Sequence, residues 1–566
     1  MKKEREAYEY LGEYRGKDFA GEWPTLVEML RITVKRHPKR PCFTIYEPDR
    51  MSLNYEEAIA RIEAVGRWLY SKGVRKGDKV ALTGKNAPEW TVAYLGILFA
   101  GAVIVPIDAQ LHFDECVNLI KVAGAKILFA DEEKHDKFVA ERGRIGVIEE
   151  IVSLHKGLGA YLYDIDGTAA DIELPTEHDL AAILFTSGTT GKPKGVMLSH
   201  RNLVSDNYLA QCCIDLSEHD VFYALLPIHH AYSMTVFLVV MALGAELVFG
   251  KRMVTQQILK DLKQAQVTIF LGVPMLFNKL LAGILRGIKQ KGPIVYAVIS
   301  FLMGVSGLIK KVTGMNPGKK LFHAVLEKAS LTSVRICICG GGPLAASVTR
   351  AYNQMGVNFI QGYGLTETSP IINLNPVEHY KEASVGRVVR QVEEKVLNPD
   401  ERGVGEIAVR GPVVMQGYYN MPEETAAIMT EDGWLKTGDL GYLDSENYLY
   451  LTGRAKNVIV TAGGKNVYPE EIENEFQLFE EIDQILVRGY VFDKKTKDER
   501  IEALVYPSQD YWKDADKAAI QKRIEEIVAE VNQRLLSYGR IEKTTLIAER
   551  MEETTTKKIK RDSLKY

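Results

Sequence analysis

The chain has 566 residues, with 71 Lys and Arg against 74 Asp and Glu, for a formal charge of -3 at pH 7. Hydrophobic residues make up 46% and charged residues 26%, a globular composition that at roughly 150 residues per domain gives three to four domain-sized units. These figures exclude a disordered chain, a collagen-like fibre and a small disulfide scaffold, and the near-neutral balance speaks against a nucleic-acid binder, which needs a basic excess.

The first residues, MKKEREAYEY, hold no apolar core and no small-residue cleavage site, so no secretory signal is expected. Residues 25–37 and 54–73 predict amphipathic helices. Lys79 to Thr83 reads as a strand, Glu89 to Ala100 as a helix and Val103 to Pro106 as a second strand, an alternation that indicates an α/β core with parallel strands. Leu180 to Phe185, Val334 to Cys339 and Asn358 to Ile360 repeat the buried-strand pattern. The apolar run Val236 to Leu243 is too short to span a bilayer and predicts core.

Gly292 to Ile309 is uncharged and bounded by Lys289, Lys291, Lys310 and Lys311. It just reaches spanning length, but it contains Pro293 and several Gly and Ser residues and has no companion. A core helix, or a lysine-bounded helix lying in a membrane interface at 292–311, fits better than a spanning one. From about residue 384 short alternating strands with Gly turns predict a small β-rich subdomain, about 384–452. After Gly453 the chain is mixed and charge-rich, with a strand at Val458 to Val460 and helices near 469–478 and 517–536. The expected organisation is a large N-terminal domain of layered α/β subdomains over 1–452, a junction at 453–456 and a small α+β C-terminal domain over 457–566.

Cys42, Cys116, Cys212, Cys213, Cys337 and Cys339 include no C-x-x-C pair, so neither a zinc knuckle nor a thioredoxin-like site is expected. Cys337 and Cys339 alternate within an apolar run, which predicts buried thiols and fits a reducing, cytoplasmic location.

The strongest chemical signal is LFTSGTTGKPKGVMLSH, residues 184–200. A buried strand enters a loop of Thr186, Ser187, Gly188, Thr189, Thr190 and Gly191, followed by Lys192 and Lys194. Glycines let successive N–H groups converge on one anion, hydroxyls add donors and lysines add charge, so the loop suits a polyphosphate. It lacks the G-x-x-x-x-G-K-[ST] spacing of the common nucleotide loop. TSGTTGKPKG is similar to the phosphate-binding signature of the adenylate-forming superfamily, which includes acyl-CoA synthetases, peptide-synthetase adenylation domains and luciferases. Further pieces follow in the family's order from about residue 25 to the end of the chain.

LPIHH, Leu226 to His230, resembles the family's second segment, placing His230 by the reacting carboxylate and leaving His229 open. CGGGPL, Cys339 to Leu344, implies that Gly340, Gly341 and Gly342 line the adenine pocket. No acidic residue follows about twenty positions on, so this is not a dinucleotide fingerprint. In QGYGLTETSP, Gln361 to Pro370, Gly362 and Gly364 flank Tyr363, whose ring would stack on adenine; Thr366 offers a hydroxyl to phosphate, and Glu367 offers a hard oxygen to Mg²⁺. The resemblance assigns both ribose hydroxyls to Asp439, the ribose and phosphate side to Arg454, the hinge to Lys456 and the thiol-facing loop to Gly463, Gly464 and Lys465. The ending TTTKKIKR departs from the family's P-K-T-x-x-G-K-I-x-R at three positions; Ile559 and Arg561 set a register that makes Lys558 the catalytic lysine, with Lys557 as competitor.

The implied reaction uses ATP, Mg²⁺ and CoA. A carboxylate attacks the α-phosphate to give acyl adenylate and pyrophosphate, and a thiol then takes the acyl group as a mobile C-terminal lid turns. Apolar residues after His230 (Ala231, Tyr232, Met234, Val236, Phe237, Leu238) and GVPMLFNKLL, Gly272 to Leu281, lean towards a fatty acid, and the whole pattern looks most like bacterial long-chain fatty-acid–CoA ligases. An aryl- or medium-chain-CoA ligase, an acyl-AMP ligase serving a carrier protein and a catalytically silent acyl-nucleotide binder are the alternatives.

Overall fold

The structure, a computed structural model of the chain, describes residues 7–167, 172–186, 193–251, 253–461, 465–493, 498–513, 515–554 and 558–561. Two large sheets organise the first four-fifths of it. The eight-stranded sheet runs, in spatial order, Gly417–Tyr418, Lys194–Ser199, Leu180–Thr186, Val103–Ile107, Lys79–Thr83, Ile127–Ala130, Glu150–Ser153 and Ala160–Tyr161. From Leu180–Thr186 outward to Ala160–Tyr161 its neighbours are parallel, as the alternation of strands and helices requires.

The thirteen-stranded sheet has a parallel centre of Val221–Ala224, Ile269–Gly272, Ile336–Cys339 and Asn358–Gly364. Beyond Asn358–Gly364 it turns antiparallel through Ile371–Leu374 and Gly386–Val388. The short strands from about 384 onward are thus hydrogen-bonded onto the second α/β sheet as its antiparallel end.

Helix Pro88–Phe99 is buried along its whole length because it touches strands of both sheets. Its Trp90 and Tyr94 pack edge-on against Phe237 of helix Ala231–Leu243, which is also apolar on every side. Helices Leu26–Arg36 and Tyr55–Ser71 begin at capping boxes, Thr25 with Glu28 and Asn54 with Glu57, which satisfy N–H groups that the first turn leaves open. Cys42, Cys116, Cys337 and Cys339 are buried free thiols, and burial pushes the Cys337 and Cys339 thiols up out of the reactive range.

Past Arg454 a 3-10 turn, Ala455–Asn457, leads to the hairpin Ile459–Val460 and Asn466–Val467. A three-stranded sheet follows (Ile482–Asp493, Asp498–Pro507, Lys543–Leu546), and helix Lys517–Asn532 buries Ile524, Ile527, Val528 and Val531 in the same apolar cluster.

The run of uncharged residues near 292–309 forms helix Pro293–Thr313 on the surface. The core-helix reading fails: only Met303, Ser306 and Lys310 are buried, while Ile294, Phe301 and Leu308 stand exposed. It is also the one helix among the described residues long and apolar enough to cross a bilayer, yet one face is committed to the protein. There the buried Lys310 ammonium donates to Asn353 Oδ1 at 2.7 Å and Asn358 Oδ1 at 2.9 Å, and burial pulls its pKa down to about 8.

Candidate active site

The strands that flank the glycine-rich segment are neighbours in the eight-stranded sheet. Leu180–Thr186 and Lys194–Ser199 are antiparallel, with Thr186 opposite Lys194 and seven residues between them in sequence. Ser187, Gly188, Thr189, Thr190, Gly191 and Lys192 lie outside the described residues. Strand Gly417–Tyr418 pairs with the outer edge of this hairpin and brings the Tyr418 ring under Lys194, whose Nζ is 4.9 Å from the ring centre. The Tyr418 hydroxyl donates to Glu367 Oε1 at 2.7 Å, and burial together with this carboxylate pushes its pKa up.

Glu367 is held by a tight reversal. Gly364 must be glycine, because a Cβ there would stand 1.6 Å from the Pro370 carbonyl oxygen. The Leu365 N–H donates to that carbonyl at 3.1 Å, and the Glu367 carbonyl accepts from the Met415 N–H at 2.9 Å. One Glu367 oxygen is engaged by Tyr418, and the cleft that both residues line also admits Thr366 and Lys194. A carboxylate oxygen beside phosphate-binding groups suits Mg²⁺, which takes one or two carboxylates and completes its shell with phosphate and water oxygens. Asp108, His229 and His230 also present donor atoms within 4.8 Å of one another, but imidazole nitrogens suit transition ions rather than Mg²⁺.

Opposite lies Asp439, paired across two antiparallel strands with Arg454. Arg454 Nε is 2.6 Å from Asp439 Oδ1, and the Tyr363 hydroxyl donates to Oδ2 at 2.7 Å. Burial raises the Asp439 carboxyl and Arg454 opposes that; burial and the facing carboxylate push the Tyr363 phenol well above its usual range. Gly340, Gly341 and Gly342 cross between these groups and the acid side. A Cβ on Gly340 would stand 3.2 Å from the Tyr232 ring, and Gly341 has φ +80°, which favours glycine.

His230 precedes helix Ala231–Leu243, and its ring centre lies 4.3 Å from that of His229. Burial and then the neighbouring His229 lower the His230 pKa to about 3, so its imidazole is neutral at pH 7. Burial works to raise the Asp108 carboxyl, but His229, 3.5 Å away, and a backbone N–H hold it at about 2.

The C-terminal segment reaches into the same cleft. Lys558 Cε lies 3.9 Å from the position of a Gly342 Cβ, and its charge is felt at His230 and Asp439. The Lys558 side chain keeps a large accessible area because the cleft is open to solvent. Protein mass nevertheless surrounds the ammonium, so burial and then Arg454 lower its pKa, with Asp439 opposing. Lys557 lies outside the described residues, as do Gly463 and Gly464. Lys456 is exposed in the turn after Arg454. The Lys465 N–H donates to Thr461 Oγ1 at 3.2 Å, and Lys465 does not line the cleft.

Sequence reasoning missed three groups. Tyr418 reaches Glu367 only through the pairing of Gly417–Tyr418 with Lys194–Ser199. Asp108 ends a parallel strand 121 positions before His229. Gln477 bridges the two parts of the chain: its Oε1 accepts from the Ala345 N–H at 2.9 Å and Asn278 Nδ2 at 3.3 Å, and its Nε2 donates to the Pro343 carbonyl at 3.0 Å. A glutamine in a charge-rich stretch carries no signal for any of this.

The whole cleft measures about 2680 Å³, beyond the roughly 300–1,000 Å³ of a single-ligand pocket, so it has room for a nucleotide and a second substrate. Beside His230, its lining includes the apolar side chains of Val236, Val239, Ile214, Leu216 and Phe222. Of the residues expected to line an alkyl tunnel, Ala231, Tyr232 and Val236 line the cleft. Met234, Phe237 and Leu238 do not: they lie on the opposite helix face and pack in the core, with Tyr94 donating its hydroxyl to Met234 Sδ at 3.1 Å. In 272–281, Val273, Pro274, Met275, Asn278 and Lys279 line the cleft, whereas Leu276, Phe277, Leu280 and Leu281 are core.

The family described as AMP-binding enzyme matches residues 30–419, and the family described as AMP-binding enzyme C-terminal domain matches residues 456–565. The chain therefore belongs to the AMP-binding, adenylate-forming enzymes. A long-chain-fatty-acid–CoA ligase of Bacillus subtilis (strain 168) is 27% identical over 531 residues, 85% of this chain and 86% of that protein. A feruloyl-CoA synthase of Amycolatopsis is 29% identical over 486 residues, 83% of this chain and 85% of that protein. The crystal structure of ATP-bound MatB from Rhodopseudomonas palustris has a TM-score of 0.76 at 26% identity, covering 96% of this chain and 98% of that one.

Proposed function

We infer that this protein is an AMP-forming acid–CoA ligase, and we propose that its acid is a long-chain fatty acid. The observation that carries the first part is the meeting of Lys558, Asp439, Arg454 and Glu367 in one cleft, although they come from segments up to 191 positions apart. The observation that favours the second is the apolar stretch of cleft lining, Val236, Val239, Ile214, Leu216 and Phe222, in the same cleft as His230.

The first step joins a carboxylate oxygen to the α-phosphorus of ATP and breaks the bond from that phosphorus to the bridging oxygen, releasing pyrophosphate. A carboxylic acid of pKa about 4 is already ionised at neutral pH, so no general base is needed. The obstacle is repulsion between anions, and the residues answer it with fixed charge and donors. Lys558 approaches from the glycine turn, and Lys194 stands at the end of the phosphate hairpin. Asp439, once its contacts with Tyr363 and Arg454 open, can accept the two ribose hydroxyls, while the Tyr363 ring packs the base. Glu367 would hold Mg²⁺, which supplies charge neutralisation on the phosphates, and Thr366 offers them a hydroxyl. Neutral His230 lines the same cleft, so it can orient the acid without adding charge. In the second step a thiol sulfur attacks the acyl carbon and AMP leaves; its route must open elsewhere, because Lys558 fills the approach over Gly342.

Purified protein with Mg-ATP, CoA and a panel of carboxylic acids, read by mass spectrometry, tests both parts. Long-chain acyl-CoA as the dominant product supports the proposal. Aryl-CoA as the dominant product overturns the fatty-acid assignment, and acyl-AMP accumulating without acyl-CoA overturns the CoA assignment in favour of a carrier-protein thiol.

A further inference from the structure

Helix Pro293–Thr313 is apolar on two faces. Ile299, Leu302 and Met303 turn inward to the cluster that holds the Pro274–Lys289 helix. A second stripe, Ile294, Val298, Phe301, Val305, Leu308 and Val312, faces solvent at alternating steps of four and three residues. Ile294 is 78% exposed, Phe301 71%, Leu308 64% and Val312 74%, which is unlike the scattered apolar residues of an ordinary surface. At 1.5 Å per residue the stripe from Ile294 to Val312 is about 27 Å long.

Charge is segregated around it. From residue 262 to 326 the chain holds nine lysine and arginine residues and no aspartate or glutamate, in a protein whose formal charge is -3. Lys289, Lys291, Lys311, Lys319 and Lys320 are exposed at the two ends of the helix. An apolar stripe with cations at its ends matches a lipid surface, where the side chains enter the acyl boundary and the lysines meet phosphate headgroups. The same charge disfavours a second copy of this chain as the occupant, because two such helices would bring lysine against lysine. Spanning is excluded by the inward face, where Lys310 is bonded to Asn353 and Asn358.

We propose that helix Pro293–Thr313 docks the protein on an anionic membrane surface, lying in the interface plane. Resting on the fatty-acid reading, the placement has a use. The Pro274–Lys289 helix packs against the docking helix, and its Pro274, Met275, Asn278 and Lys279 line the cleft. A docked molecule therefore holds one wall of its acid site next to the bilayer, where long-chain acids partition.

Co-sedimentation of the full chain with vesicles tests this, without ATP or acid present. The wild type should sediment with phosphatidylcholine–phosphatidylglycerol vesicles, less with phosphatidylcholine alone, and be released by salt. Phe301→Asp with Leu308→Asp should lower the bound fraction by about ten-fold or more. Lys311→Glu with Lys319→Glu should do the same, since each lysine near an anionic surface is worth roughly five-fold in partition. Both variants alter exposed positions, and unchanged pyrophosphate release with a water-soluble short acid shows that they are folded. A wild type that stays in the supernatant with every vesicle, or variants that bind as the wild type does, overturns the proposal. A dimer that Phe301→Asp dissolves also overturns it, giving the stripe to a second copy. Vesicle binding with activity only on aryl acids refutes the fatty-acid reading and leaves the docking surface standing.

Discussion

Plugging the apolar stretch of the cleft is the most direct challenge to the substrate assignment. Val239 lines it nine residues beyond His230, about 13 Å along the helix. Val239→Phe puts a ring into this stretch while leaving His230, Glu367 and Lys558 untouched. Each methylene denied burial forfeits about 0.8 kcal/mol, roughly four-fold in kcat/KM. Excluding three to four methylenes therefore costs about 2.5–3 kcal/mol, or roughly a hundred-fold, for long acids only. The assay is pyrophosphate release across a series of straight-chain acids, read as kcat/KM against chain length. The wild type should climb with length, and the variant should follow it for short acids and then level off. A wild-type profile that does not rise, or a variant that loses all lengths equally, refutes the reasoning, because this stretch would then not be where the chain goes.

Lys558→Ala should slow adenylation by a hundred- to thousand-fold, about 3–4 kcal/mol, yet still convert supplied acyl adenylate to thioester; equal loss of both half-reactions removes Lys558 from its role. Lys456→Pro should leave pyrophosphate release intact and block thioester formation, and survival of the thioester step would place the hinge elsewhere. Gln477→Ala removes contacts to Asn278, Pro343 and Ala345 at about 0.5–1.5 kcal/mol each; it should slow adenylation by about ten-fold or more without slowing the thioester half-reaction, and parallel losses in both would count against it. His230 is held near pKa 3 in the folded chain against 6.5 when free, so the unfolded state takes up its proton first as the pH falls. This contribution to stability is whole above about 6.5 and lost on acidification towards about 3. The urea midpoint should therefore fall less with acid in His230→Asn than in the wild type, and identical pH dependence in the two would contradict it.

What could be read from the sequence was local. The Gln361 to Pro370 reversal and the glycine turn at 340–342 are dictated by backbone needs that a short string of residues displays: Gly364 has no room for a Cβ, and Gly341 has a positive φ. The alternation of strand and helix likewise announced parallel sheets. Pairings across the sheets were not legible. Tyr418 meets Glu367 because Gly417–Tyr418 happens to edge the phosphate hairpin, and no property of GYY states which strand it will join. The apolar run after His230 was read as one wall, but a helix divides its residues between faces. Tyr232, Thr235, Val236 and Val239 line the cleft, while Met234, Phe237 and Leu238 fill the core. The run at 292–309 posed the opposite problem, since a helix that is apolar all round looks the same in sequence whether its outer face meets protein or not.

The seam between the two parts of the chain bears on how the proposed two half-reactions would share one site. Among the described residues, the buried apolar clusters of the C-terminal part draw on residues from Ile459 onward, and those of the larger part stop before it. The named contacts across the seam are polar: Gln477 to the 343–345 turn, Arg286 to Glu480 at 3.0 Å, and the Tyr468 hydroxyl to Asp400 at 3.4 Å. The ion pair is worth about 0–1 kcal/mol and each neutral hydrogen bond about 0.5–1.5 kcal/mol, and all exchange for water, so separating the parts costs a few kcal/mol rather than a core. Lys558 belongs to the moving side. Arg561, three residues on, grips both Glu473 oxygens at 2.6–2.7 Å and the Val487 carbonyl at 2.8 Å, and Lys558 itself is tied to Thr554. Any rotation about the turn at Lys456 must therefore withdraw the lysine from Gly342 as it moves Lys465. In the proposed two-step reaction, the step that needs the ammonium and the step that needs an open approach would be separated by that one motion.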